Sequence, residues 1–170
     1  TGTTFTRAKD RDKMTILVIG GCGYTGSVLV NDLLKAGHVV RVFDAQWFGS
    51  HLESHPNLSL FKGDIRHDEL PLDGVESVIH LANVANDPSV DLAPTLSWEV
   101  NVLATMRVVE AAIRANVKNF VFASSGSVYG VKDEPEVTED LELVPISVYN
   151  KTKMAAERVL LSYRDQIRVW

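Results

Sequence analysis

Cysteine, positive charge and long apolar runs are all scarce in this chain, and each scarcity removes a class of explanation. One cysteine, Cys22, among 170 residues excludes an internal disulfide and fits a reducing cytoplasm. Lys and Arg number 17 against 22 Asp and Glu, a formal charge of −5. That balance argues against a nucleic-acid partner or an anionic membrane surface. The longest apolar stretches, such as residues 16–19 and 78–79, are far too short to cross a bilayer. The first residues carry no apolar signal core. His51 and His55 have helical metal-ligand spacing, but no Cys or carboxylate completes a set, so they read as surface residues and no metal is expected.

What is present is an ordinary globular composition, 45% hydrophobic and 23% charged, enough for one domain with a sizeable core. Residues 1–13 are polar and aperiodic and read as a flexible leader or an expression remnant; residues 14–170 read as the domain. Short apolar runs at 14–20, 39–44, 58–62, 77–82 and 119–124 predict strands. Between them lie helical patterns at 26–36 and 96–115, the second with a stripe of Trp98, Val102, Met106, Val109 and Ile113. A last helix is expected over 148–163, and 167–170 reads as the opening of a sixth strand. Near-continuous apolar strands alternating with helices predict an α/β fold, a doubly wound parallel sheet with helices on both faces.

Three local patterns carry chemistry. Gly20-Gly21-Cys22-Gly23-Tyr24-Thr25-Gly26 stands between the first strand and the first helix. By composition, three glycines at that spacing arise about 0.06 times in a chain of this length. Glycines there permit a tight turn and close backbone approach, and the helix N-terminus offers N–H groups and a positive dipole end to a pyrophosphate. The plain alternative is a simple strand-to-helix turn. Asp44 ends the second strand, 18 residues past Gly26, where a carboxylate can accept hydrogen bonds from both hydroxyls of an adenosine ribose. It would repel a 2′-phosphate, and Ala45, Gln46 and Trp47 supply no cation for one, so NAD is favoured over NADP. On its own Asp44 could equally be a strand-end turn residue.

The third pattern is Tyr149-Asn150-Lys151-Thr152-Lys153, which sets a phenol and an ammonium one helical turn apart on one face. A neighbouring cation favours the phenolate, and a phenolate can take a proton from an alcohol and return it. Chance alone supplies about 0.2 such pairs here, and a solvated helix face is the plain alternative.

Taken in order, Gly20/Gly23/Gly26, Asp44, Gly63-Asp64-Ile65, His80-Leu81-Ala82, Asn101, the run from Ser124 to Gly130 and Tyr149/Lys153 resemble the extended short-chain dehydrogenase/reductase family. The likeness is to its NAD-dependent epimerase/dehydratase type, especially nucleotide-sugar epimerases of the UDP-galactose 4-epimerase kind, and runs from about Met14 to the last residue. It implies a Rossmann-type domain holding NAD. Gly20, Gly23, Tyr24, Thr25 and Gly26 would take the pyrophosphate and Asp44 the ribose. Asp64 and Ile65 would flank the adenine, while Leu81, Ala82 and Asn83 would line the dinucleotide. The family usually has Ala or Gly where Asn83 stands. Asn101 is expected near the cofactor, with an ordinary polar face residue as its plain alternative.

The resemblance also implies the chemistry. Tyr149 would be the base, Lys153 its electrostatic partner and a ligand of the nicotinamide ribose, and Ser125 the hydroxyl that orients the substrate alcohol. Ser124 would sit nearer the nicotinamide, and one register step could exchange the two serines. Transient oxidation of a sugar hydroxyl, with hydride returned to the opposite face, would epimerise a nucleotide-sugar. Gly126 and Ser127 stand where 4,6-dehydratases carry Asp-Glu, so elimination is disfavoured. Two other readings stay open: an NAD(P)-dependent dehydrogenase or reductase of the same family, and a non-catalytic NAD-binding sensor or scaffold. Family members commonly dimerise through the two long helices, where apolar positions such as Met106 or Leu160 would serve. They also continue for about as much again, so a truncated chain without its C-terminal substrate lobe, inactive alone, is expected.

Overall fold

The computed structural model describes residues 13–170, so the expected leader lies outside the described residues apart from Lys13. Six strands form one parallel sheet: β1 (Thr15–Ile19), β2 (Val39–Asp44), β3 (Leu58–Lys62), β4 (Ser77–His80), β5 (Asn119–Phe122) and β6 (Arg168–Val169). Their order is β3-β2-β1-β4-β5-β6. The chain therefore winds outward from β1 to β3, returns, and winds the other way from β4, opening a crevice beside β1 where the direction switches.

β1 shows why its sequence is apolar from Ile16 to Ile19. Leu17 and Ile19 enter one core with Val78, Val108 and Phe120, while Ile16 and Val18 enter the other with Val30, Leu34 and Val42. A strand buried on both faces has no position left for a polar residue. Helix α1 (Tyr24–Lys35) covers the second core and begins two residues before the expected 26–36. Helix α5 (Val148–Ser162) is capped by Ser147, whose side chain accepts the Asn150 N–H at 3.1 Å.

The expected helix over 96–115 departs most from the pattern. It is α3 (Pro94–Trp98), a π-helical turn (Glu99–Leu103) and α4 (Ala104–Arg114), preceded by a short helix α2 (Asp87–Leu92) that periodicity does not reveal. The anticipated stripe holds at its C-terminal end, where Val109 is buried and Ile113 packs against the core. Trp98 and Met106 are exposed instead, and the buried face runs through Ser97, Asn101, Ala104, Thr105, Val108, Val109 and Ala112. Three of those positions are polar, so hydrophobic patterning alone misplaces the first half of the face. Leu160, anticipated as an exposed apolar position for dimerisation, is instead buried in the core.

Candidate cofactor and active site

A cavity of about 790 Å³ opens at the carboxyl ends of β1, β2, β4 and β5. Each of these strands delivers residues into it where its ladder stops. The fourth and fifth strands end at His80 and Phe122 rather than at 82 and 124 as expected, because the chain there peels away to form the cavity wall. The Leu81 and Ala82 N–H groups both donate to Ile19 O, at 2.8 and 3.0 Å, which holds that wall against the end of β1.

The glycine loop forms the floor. A side chain at Gly26 would bring Cβ within 2.5 Å of Gly20 O and 2.6 Å of Gly21 Cα, so close packing of α1 on the loop demands glycine there. Gly23 is different. Its φ of −73° suits any residue, and a Cβ would meet only Gly20 O at 3.4 Å. Nothing in the protein requires glycine at 23, but a ligand lying against that backbone would. No side chain caps the first turn of α1 and no acidic residue stands in it, which leaves its N–H groups and dipole end facing the cavity. A dinucleotide pyrophosphate fits this floor. Asn83 Oδ1, buried in the wall without a hydrogen-bond partner, is a further acceptor suited to a ligand donor.

Asp44 ties two loops together: Oδ2 accepts the Cys22 N–H at 2.9 Å and Oδ1 accepts the Gln46 N–H at 2.7 Å. Its carboxylate is thereby oriented in the cavity with acceptor capacity to spare. Asp64 and Ile65 line the cavity beside it. The Asp64 carboxylate is gripped by Arg66, whose Nη2 donates to Oδ2 at 2.7 Å, and this bond is the main cause of an Asp64 pKa below the usual range. Arg107 fixes the same segment by donating to Ile65 O and His67 O, each at 2.9 Å.

On the far wall, Tyr149 and Lys153 share the cavity-facing side of α5. Lys153 is 2% exposed. Its Nζ donates to Ala123 O at 2.5 Å and lies 4.2 Å from the Phe122 ring centroid. Burial lowers its pKa from 10.5 to about 8, opposed by the charge of Glu157 one turn on. Glu157 continues the i, i+4 series and hydrogen-bonds the Ser124 hydroxyl, a partner that sequence reading passed over although the spacing signals it.

The two serines divide. Ser124 lines the cavity with Ala123. Ser125 lies beside it without forming part of the lining; its Oγ is 2.6 Å from Ser127 Oγ, which donates to Asn150 Oδ1 at 2.7 Å. Ser125 is also the N-cap of the short 3₁₀ turn Gly126–Tyr129.

Asn101, expected near the cofactor, is likewise behind the wall, 1% exposed and placed as a brace. Its Oδ1 accepts the Val84 N–H at 2.7 Å, and Nδ2 donates to Val84 O and to Thr152 Oγ1. The Thr152 hydroxyl donates in turn to Tyr149 O at 2.8 Å. A polar side chain buried at the π turn thus joins the β4 wall to the helix that carries the phenol. His51 is exposed, as read from sequence, and stands in the cavity lining with Trp47 and Phe48. Among the described residues no cluster of His, Cys, Asp and Glu could hold a metal ion.

Known proteins agree with this construction. The model of the NAD dependent epimerase/dehydratase family matches residues 16–169. A UDP-glucose 4-epimerase of Lactobacillus helveticus is 35% identical over 152 residues, 86% of this chain and 46% of that protein. A bovine (Bos taurus) sterol-4-alpha-carboxylate 3-dehydrogenase, decarboxylating, is 37% identical over 156 residues, 87% of this chain and 41% of that protein. Among solved structures, the UDP-glucose 4-epimerase of Thermus thermophilus in complex with NAD is 31% identical with a TM-score of 0.81, over 92% of this chain and 53% of that one. The chain spans about half the length of the curated relatives it matches. A match over nearly the whole domain, carried by the sheet order and glycine loop described above, places this chain in the NAD-dependent epimerase/dehydratase family.

Proposed function

We propose that this chain is the NAD-holding part of a nucleotide-sugar epimerase that transiently oxidises a sugar hydroxyl, with Tyr149 as the base. The observation that carries the reading is that Tyr149 and Lys153 line the same cavity as the glycine loop and Asp44. A phenol placed there can reach a hydroxyl presented to the nicotinamide end of a dinucleotide. Bound NAD supplies the hydride acceptor and, on the return step, the donor.

The chain's own residues do the rest. Asp44 and the floor around Gly23 hold the adenosine and pyrophosphate. Tyr149 takes the hydroxyl proton and returns it, while Lys153 lends positive charge one turn away. Ser125 orients the hydroxyl; its link through Ser127 to Asn150 ties it to the first turn of α5. The similarity to UDP-glucose 4-epimerases supports a nucleotide-sugar substrate. With no helix among the described residues long and apolar enough to cross a membrane, a cytoplasmic enzyme that dimerises through α4 and α5 is consistent with this reading.

Tyr149→Phe tests the assignment. Turnover of nucleotide-sugars by the NAD-loaded protein should disappear while NAD affinity stays within about threefold, because only a proton-transfer group is removed. Loss of NAD binding would make Tyr149 a structural residue. The similarity to a sterol dehydrogenase favours a second reading, oxidation without return of hydride. Stoichiometric release of NADH would identify it; recycling without release would identify the epimerase.

A further inference from the structure

The segment following Asp44 exposes two large aromatic rings where packing would be expected to hide them. Trp47 is 56% exposed and Phe48 93%, and both line the cavity. Exposed rings on a fraying loop would mean little, but this turn is anchored at two points. The Gln46 N–H is bound to Asp44 Oδ1 at 2.7 Å, and the Gly49 N–H donates to Gln46 O at 3.0 Å. Gln46 holds a φ of +55° and Gly49 one of +81°. A non-glycine residue in the left-handed region costs energy, and the Asp44 bond is what keeps it there.

The same carboxylate thus anchors the turn and faces the position of the adenosine ribose. A ring carried by this turn three residues from that carboxylate, in the lining of the cavity, is placed for a flat π-system attached to the ribose. We propose that the Trp47–Phe48 turn is an aromatic wall for the adenine ring, with the Trp47 indole as the stacking surface and Phe48 shielding its outer edge. This rests on the reading of the cavity as an NAD site and adds a determinant that neither the glycine loop nor Asp44 supplies. Stacking is indifferent to the edge of the base, so the wall contributes affinity, while Asp44 decides between NAD and NADP.

The test is calorimetric titration of the protein and its Trp47→Ala, Trp47→Phe and Trp47→Ala/Phe48→Ala variants with NAD and with ADP-ribose, alongside thermal melting. The expected result is a loss of about tenfold in affinity for both ligands in Trp47→Ala, a larger loss in the double variant, and recovery to within about threefold in Trp47→Phe, with melting temperatures unchanged. In a Trp98→Phe/Trp170→Phe background, ADP-ribose should change the emission of Trp47. Unchanged affinity in Trp47→Ala, or ligand binding that leaves Trp47 emission untouched, overturns the wall while the NAD reading stands. Equal losses in Trp47→Ala and Trp47→Phe would also overturn it, since a retained ring should restore stacking. Failure of the unaltered protein to bind NAD overturns both.

Discussion

Lys153 keeps an ammonium at 2% exposure, held by one carbonyl and one ring face. Burial wins over the charge of Glu157, and the folded pKa falls from 10.5 to about 8. The sign of the consequence follows from proton counting. Between those two values the unfolded chain binds a proton that the folded chain has released, so stability rises with pH across that window and is insensitive to this group below it. Wild-type stability relative to Lys153→Met, measured by urea unfolding, should therefore be flat below about pH 8 and climb from about pH 8 to 10.5. A flat difference throughout would mean that the ammonium is well solvated. Around pH 8 the same titration withdraws the positive charge that stands one turn from Tyr149.

At the scale of the element, the glycine loop is a single motif in sequence but two devices in space. Gly26 serves the fold, since a Cβ would strike the backbone at 2.5 Å; at Gly23 a Cβ has room within the protein, which leaves the proposed pyrophosphate as its reason to be glycine. Gly26→Ala should lower stability by about 1–3 kcal/mol in thermal or urea unfolding. Gly23→Ala should leave stability within about 0.5 kcal/mol and weaken NAD binding by about tenfold or more, read by calorimetry. Unimpaired NAD binding by Gly23→Ala would remove the pyrophosphate from the floor of the cavity. The helix after β4 carries a different lesson. Ser97, Asn101 and Thr105 occupy its buried face because they bond backbone and neighbouring hydroxyls, a pairing invisible to a count of apolar residues.

For the molecule as a whole, the crossing point of the sheet beside β1 gathers loops from both halves into one cavity, with Asp44 in its lining as the proposed determinant of the cofactor. Asp44 lies there as a carboxylate that would oppose a 2′-phosphate on the ribose, and Arg66 in the adjoining segment is committed to Asp64 and Glu99. NAD at about 100 times its dissociation constant should raise stability by about 2.7 kcal/mol, and NADP at the same concentration by clearly less. A thermal-shift series reads the difference, and equal or greater stabilisation by NADP would overturn the role given to Asp44.

By itself the sequence determined the alternation of apolar strands and helices, the strands over 39–44 and 58–62, the glycine loop, Asp44 and the Tyr149–Lys153 pair. Each of these is local: a run, a spacing or a helical turn, set by backbone geometry and the pattern of burial. Only the tertiary structure decided the buried face of the helix after β4, the π turn, the bracing role of Asn101, the partition of Ser124 from Ser125 and the aromatic turn at Trp47. Those depend on which distant backbone group lies within hydrogen-bonding reach, and that is fixed only when the strands converge.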